Sequence, residues 1–207
     1  AAGVGVSLAA GVNTSTTLAK IGDYAETDAS GRTSVKADST ENVNTITVAG
    51  AGGGAAGVAG ALAVNVVASN TEAGIGKYAE VNQDSSIANA TQDVEVSAFD
   101  MIIANSPTGA GAGGGAAGVG ASINVMVAQN TTSAYIDDWA KVDAGKSIGV
   151  EATSEKYVNS ATVAGGGAGA AGVTGAVSVI AVGSLFDGDA KRGVGGSNTS
   201  DYADGQL

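Results

Sequence analysis

Two kinds of residue in this chain are spaced so that they could do chemistry: glycines and grouped aspartates. The pattern Gly-x-Gly-x-x-Gly, typical of dinucleotide sites, begins at Gly52, Gly113 and Gly167. In such a site the glycines open a helix whose N-terminus holds the pyrophosphate. Here each pattern leads into another strand-like run, and no Gly-Lys-Ser/Thr follows. We therefore expect these glycines to let two sheets pack closely rather than to bind a nucleotide.

The aspartates are candidate calcium ligands, because Ca²⁺ takes oxygen atoms that converge on it. They form loose acidic groups, namely Asp137, Asp138, Asp143, Asp187 and Asp189. Calcium-loading nonapeptides carry aspartate within their glycine runs, whereas the glycine runs of this chain contain none. We interpret the five residues as solvated acids in turns, with calcium as the alternative, and expect no other cofactor.

Composition excludes most catalytic chemistry. The 207 residues include no histidine and no cysteine, which removes imidazole catalysis, thiol nucleophiles, disulfides and the common zinc sites. The net charge of −11 argues against nucleic acid and anionic membranes as partners. Glycine and alanine runs such as 48–68 are too weakly hydrophobic to span a bilayer. We expect no enzyme, because a periodic rod offers no obvious cleft for its carboxylates.

The positions of these residues follow an internal repeat. The tripeptide Ala-Gly-Val recurs at 2–4, 56–58, 117–119 and 171–173, with equal first and last intervals and a longer middle one. Its valines are Val4, Val58, Val119 and Val173, and the first three copies lead at constant spacing to an isoleucine and then to an aromatic residue. These equivalent positions are Ile21, Ile75 and Ile136, followed by Tyr24, Tyr78 and Trp139. A long period of this kind is typical of chains that stack one copy on the next.

The repeat divides the chain into copies at about 2–55, 56–116 and 117–170, with a partial copy at 171–184. The second copy is seven residues longer, and the extra residues fall in the Gln83 to Asp93 region, as a loop would allow. Residues 185–207 depart from the pattern and are expected to form an altered final rung, a cap or a linker. Because Ala1 already lies within a copy, we interpret the chain as a fragment of a longer protein.

Side-chain alternation predicts the secondary structure. From Val4 to Val12, branched aliphatic residues alternate with Gly, Ser and Ala, a period of two that indicates a strand. Both faces could be buried, the small one against a closely approaching sheet. Asn65 and Asn124 share one strand face and could form part of a buried amide row. Further strands are predicted at 16–21, 34–37, 42–48, 94–98, 148–152 and 157–163, with almost no helix.

Four short strands per copy predict an all-β fold, a β-solenoid resembling a right-handed parallel β-helix. Two circuits of the chain per copy are favoured, and three remain open. In either case each copy buries its apolar row only by stacking on the next one. The alternative is a stacked antiparallel sheet, which would act as a fibre module.

The sequence also resembles the repeats of very large secreted bacterial exoproteins, the leukotoxin-like and filamentous-haemagglutinin-like adhesins of two-partner or autotransporter secretion. The resemblance covers residues 1–184. The runs that carry it are 111–125, 130–136, 142–145 and 148–152. It implies an extracellular, cell-surface, non-enzymatic stalk or adhesive region, and it assigns no individual binding residue.

The expected partner is an unknown ligand on a host or neighbouring cell. We expect no contact with nucleic acid and no membrane insertion of this segment. Two alternatives stay open: a segment or subunit of a self-assembling extracellular fibre, and a cytotoxin repeat region of the leukotoxin kind.

Overall fold

The computed structural model describes residues 1–184, and every regular element in that part of the chain is a β-strand. Here seven strands are long, with 12 to 22 residues, three have two residues, and one seven-residue strand extends the first copy. The strands are β1 (Ala2–Ile21), β2 (Glu26–Thr27), β3 (Thr33–Asn44), β4 (Thr47–Gly53), β5 (Ala56–Ile75), β6 (Glu80–Val81), β7 (Asp93–Gly114), β8 (Ala117–Ile136), β9 (Lys141–Val142), β10 (Ser147–Ala168) and β11 (Ala171–Ser184). The prediction of an all-β fold is confirmed for these residues.

These strands form three sheets, and within residues 1–184 every strand pair is parallel. The front sheet has the order β1-β5-β8-β11, and the corner sheet has the order β2-β6-β9. The back sheet has the order β10-β7-β3, and β4 also pairs with β7. The chain passes from front to corner to back and then returns to the front. The antiparallel alternative is therefore wrong.

One copy makes one circuit through the three sheets. Val4 lies beside Val58, Val58 beside Val119, and Val119 beside Val173. The expectation of two circuits per copy is wrong, because the two halves of a copy belong to different sheets.

The pairing between the first two copies locates the extra residues of the second copy. Glu26 pairs with Glu80 in the corner sheet, whereas Val35 pairs with Val96 in the back sheet. The difference in residue number between paired residues is therefore larger by seven in the back sheet than in the corner sheet. The seven extra residues lie in the loop 82–92 that joins these two strands.

The predicted short strands are joined into long ones. The prediction of four short strands per copy is wrong, because the polar segments between them continue the ladder instead of turning away. The one break in the back sheet separates β3 from β4 at Thr45 and Ile46. Ile46 lies opposite Pro107 in the register of β4 and β7. Proline has no backbone N–H to give to a neighbouring strand, which accounts for the interruption at this point.

The interior widens from one edge of the stack to the other. At one edge the back and front sheets are joined by only two residues, such as Gly54 and Ala55, so the sheets meet backbone to backbone. A Cβ atom placed on Gly57 would lie 2.3 Å from the carbonyl oxygen of Gly113. At the opposite edge the corner sheet separates the two large sheets, and larger side chains such as Ile75 and Val96 fill the space. The inward residues are therefore small where the two large sheets are close together and larger where the sheets are farther apart.

Candidate interaction surface

The outer face of the front sheet carries aliphatic side chains that no residue in the described range covers. We call it the aliphatic face, made of the outward residues of 2–12, 56–66, 117–127 and 171–181. Each outward residue there is Ala, Val, Leu, Ile or Gly. Val4 is 75% exposed and Leu8 68% exposed at the edge strand. Val58 and Ile123 are each 44% exposed, even though strands flank them on both sides.

The direction in which these side chains point follows from the narrow interior. Gly57 and Gly120 point inward, and a Cβ on either would come within 2.3 Å of a carbonyl oxygen of the back sheet. Only small residues fit there, and strand alternation then forces the valines outward. The idea that the aliphatic row is also buried is therefore wrong for the residues described.

The polar residues of the interior join the two large sheets. Asn65 Nδ2 donates to Ser106 Oγ at 3.1 Å, and Ser106 Oγ donates to Asn124 Oδ1 at 3.0 Å. Asn124 Nδ2 donates in turn to Ser160 Oγ at 2.7 Å, and Thr45 Oγ1 donates to Asn65 Oδ1 at 2.8 Å. Asn65 and Asn124 are fully buried on one strand face, as expected, although the serine bridges them. We call these five residues the first polar column. Its hydrogen bonds connect the front sheet to the back sheet and also connect successive copies.

A second polar column surrounds Asp100, a buried carboxylate that the sequence analysis did not single out. It accepts hydrogen bonds from Ser69 Oγ at 2.5 Å, Thr71 Oγ1 at 2.8 Å and Asn130 Nδ2 at 3.0 Å. Three donors from the front sheet thus hold one acceptor of the back sheet, as a buried carboxylate requires. The signal in the sequence was a lone acid within the apolar run from Phe99 to Ile103.

The equivalent aromatic residues occupy equivalent turns. Tyr24, Tyr78 and Trp139 follow β1, β5 and β8, and all have positive φ angles of 60°, 57° and 64°. The rings of Tyr24 and Tyr78 stack with their centres 5.0 Å apart. Stacking covers one face of each ring, and Tyr24 at the edge of the stack stays 72% exposed.

The isoleucines that precede these turns, Ile21, Ile75 and Ile136, lie side by side in register. Ile75 is fully buried, and the other two pack against the same hydrophobic cluster. The isoleucines and the aromatics therefore behave as repeated structural positions at one corner of the stack.

The three candidate calcium ligands within residues 1–184 do not converge. Asp138 Oδ2 lies 3.6 Å from Lys77 Nζ, and the backbone N–H of Asp143 donates to the carbonyl oxygen of Val81 at 3.0 Å. Asp137 accepts the backbone N–H of Asp138 at 2.8 Å. Within residues 1–184 no three acidic side chains are grouped so that they could hold a metal ion. The remaining two candidates, Asp187 and Asp189, lie outside the described residues.

A shallow pocket of about 280 Å³ opens where β7 and β10 begin, and most of its charged side chains form ion pairs. Asp93 lies 3.3 Å from Lys146 Nζ and 3.9 Å from Arg32. The Ser147 hydroxyl donates to Asp93 at 2.7 Å, and this bond, aided by the two cations, holds the pKa of the carboxyl below its usual value. Arg32 also lies 3.3 Å from Glu95, so each cation of the pocket faces a carboxylate, which suits a structural ion-pair cluster.

The three glycine patterns lie where the back sheet turns into the front sheet. The pattern from Gly113 to Gly118 spans the end of β7, the connection and the start of β8. Because a strand follows at once, the helix N-terminus on which a dinucleotide site depends does not occur here. The expected role in close sheet packing fits the approach of Gly118 to the carbonyl oxygen of Gly167, where a Cβ would lie 2.6 Å away.

Comparisons of this chain with protein-family models, with curated proteins and with solved structures found no match. The described part of the chain contains no helix long and apolar enough to cross a membrane.

Proposed function

We propose that this chain is a segment of a right-handed parallel β-solenoid that serves as a non-catalytic stalk or adhesive region of a secreted bacterial surface protein. The observation that carries the proposal is the pairing register. Strands one copy apart lie side by side, in parallel, in all three sheets. Right-handedness follows from the strong preference of connections between parallel strands for that hand.

Such a stack supports a mechanical role. Backbone hydrogen bonds between copies run along the stacking axis, so each added copy extends the rod by one strand spacing, about 4.8 Å. The polar columns reinforce this axis, because Asn124 bonds to serines of the back sheet in two successive copies, Ser106 and Ser160. A rod built in this way lengthens without needing a new core.

The surface location is supported by composition and by the resemblance to exoprotein repeats. A chain that crosses membranes unfolded benefits from having no cysteine, and this chain has none. A net charge of −11 limits aggregation of neighbouring rods through their charged surfaces. The adhesive part of the proposal places the unknown cell-surface ligand on the outer faces, since the interior is filled by side chains.

The test is to lengthen the chain by whole copies. Ten additional copies of residues 117–170, inserted before Ala171, preserve the register, because Ala117 and Ala171 are register partners and the inserted unit equals the interval between them. Electron microscopy is expected to show rods about 50 Å longer than those of the original chain, at about 4.8 Å per copy.

The matched control carries ten insertions of the same composition with the residue order scrambled within each copy. The control is expected to leave the rod length unchanged and to be cleaved by protease within the inserted residues. Two results would contradict the proposal: inserted copies that appear as separate globules instead of a longer rod, or ordered copies that are cleaved as readily as the scrambled ones.

A further inference from the structure

We infer that the aliphatic face is a self-association surface, through which two copies of this chain pair front sheet to front sheet. The inference rests on the stacked fold of the proposal above and goes beyond the stalk role. It names a partner, a second copy, for a surface that the stalk role leaves unused.

The aliphatic face is as large as one side of a stable protein–protein interface. It extends over about 11 residues of each strand and across four strands, which gives about 35 Å by 19 Å, or about 650 Å². The largest apolar patch on an ordinary monomer is about 300–600 Å². Two such faces together would remove about 1,300 Å² from water, within the range of about 1,200–2,000 Å² that stable pairs bury.

The distribution of charge makes the aliphatic face the surface on which a second copy meets least repulsion. Two chains of net charge −11 repel each other least when their charged groups stay far apart, and the aliphatic face carries no charged side chain. The acids lie elsewhere, for example Asp38 and Glu151 on the outer face of the back sheet and Asp138 in a turn. Pairing front to front therefore keeps the carboxylates of the two copies apart.

The chemistry of the face and its border also fits a protein partner better than a lipid surface. Faces that bind membranes carry lysine, arginine and tryptophan among their apolar residues, and the outward residues of this face include none of these. Next to the face the outward residues become polar, with Thr16, Asn70 and Gln129 on three neighbouring strands. An apolar centre with a polar border is the usual anatomy of a protein–protein interface.

The regular spacing of the face makes it complementary to itself. Rows such as Val4, Val58, Val119 and Val173 repeat once per strand. The ridges of one copy can therefore lie between those of the other, as in two packed sheets about 10 Å apart. Because each copy uses the same face, the assembly closes at two and does not grow further through this contact.

The test is sedimentation velocity of the full 207-residue chain from sub-micromolar to high-micromolar concentration. A concentration-dependent dimer is expected. The double variant Leu62→Glu, Ile123→Glu places two charges on adjacent strands at the centre of the face and is expected to weaken pairing at least about a hundredfold. A second variant, Leu62→Thr with Ile123→Thr, keeps residues that favour strands and should also weaken pairing, which guards against a folding defect.

The matched control is Asn105→Glu with Asn159→Glu. These two residues lie side by side on the outer face of the back sheet, so the control gains the same charge in the same arrangement. It is expected to dimerise like the original chain. Circular dichroism and cooperative unfolding, unchanged in every variant, establish that pairing alone has been altered.

Three results would overturn the inference. One is a monomer at every concentration, and another is a dimer that persists in both front-sheet double variants. The third is flotation of a monomeric chain with phosphatidylcholine vesicles that is lost in the Leu62→Glu, Ile123→Glu variant, because this assigns the face to lipid. In each case the length of the rods with ten inserted copies still tests the proposed stalk separately.

Discussion

At the scale of single residues, the thickness of the interior at each point decides which residues face inward. Gly57 and Gly60 belong to the same strand, three residues apart. Gly57 faces the back sheet at close range, whereas a Cβ on Gly60 would meet nothing within 4 Å. Two identical residues therefore have different roles, one in packing and one on an open surface.

This difference gives the first prediction. Gly57→Ala should lower the free energy of unfolding by about 2–3 kcal/mol, because the added methyl group forces the two sheets apart. Gly60→Ala should change it by less than about 1 kcal/mol, and in the stabilising direction, through the lower entropy of the unfolded chain. Urea unfolding followed by circular dichroism measures both. Equal effects of the two substitutions would show that the front sheet has been assigned the wrong inward face.

The sequence predicted the alternation of these residues but not its direction. Val4, Val6, Leu8 and Val12 are the most hydrophobic residues of the first run, so burying them is the natural expectation. The direction depends on the distance between two sheets, and that distance is set by the two-residue connection at Gly54 and Ala55. Asp100 was missed for the same reason, since its donors Thr71 and Asn130 come from strands that lie far from it in the chain in both directions.

At the scale of elements, a loop can gain or lose residues while the strands on both sides of it keep the same pairing. The loop 82–92 has exposed residues in its middle and two buried residues at its ends. Asn82 accepts the backbone N–H of Ala29, and Gln92 Nε2 donates to the carbonyl oxygen of the same residue at 2.6 Å. The ends hold the loop in place, and the middle connects them.

Deletion of residues 84–90 should therefore leave the free energy of unfolding within about 1 kcal/mol of its original value. The shortened connection would have four residues, like the connection 143–146 between β9 and β10. Deletion of seven residues inside β7, from Ala98 to Ala104, serves as the control and should prevent cooperative folding, because it removes buried Ile102 and shifts the register. A loss of several kcal/mol on deleting 84–90, measured by urea unfolding, would mean that the loop belongs to the core.

The positions of the elements were easier to predict than their lengths. Alternation identified the strand around Val4, strand-favouring residues identified those around Val35 and Val96, and the seven-residue excess was placed correctly from spacing alone. The strand ends were not predicted, since the polar segment 13–15 between two predicted strands continues the ladder. Its residues stay extended because their side chains find partners across the interior, as Asn13 does in donating to Glu41 at 2.6 Å.

At the scale of the whole molecule, successive copies lie beside each other as parallel strands, with the valine rows outward. The repeat spacing in the sequence predicted which residues are neighbours. It could not predict that one copy makes one circuit, because this depends on how the front and back sheets divide each copy. The face that results is a property of several copies together.

A disulfide scan tests this arrangement most directly, since the chain contains no cysteine of its own. In the variant Val58→Cys, Val119→Cys the two residues are register partners on adjacent strands. Their Cα atoms are about 4.8 Å apart, within the range for a disulfide. The mismatched pair Val58→Cys, Ile123→Cys is displaced by four residues, or about 13 Å along the strand. Oxidation of dilute monomer should close the first pair and leave the second reduced, as seen by mass spectrometry. Failure of the first pair to close, or equal closure of both, would contradict the account.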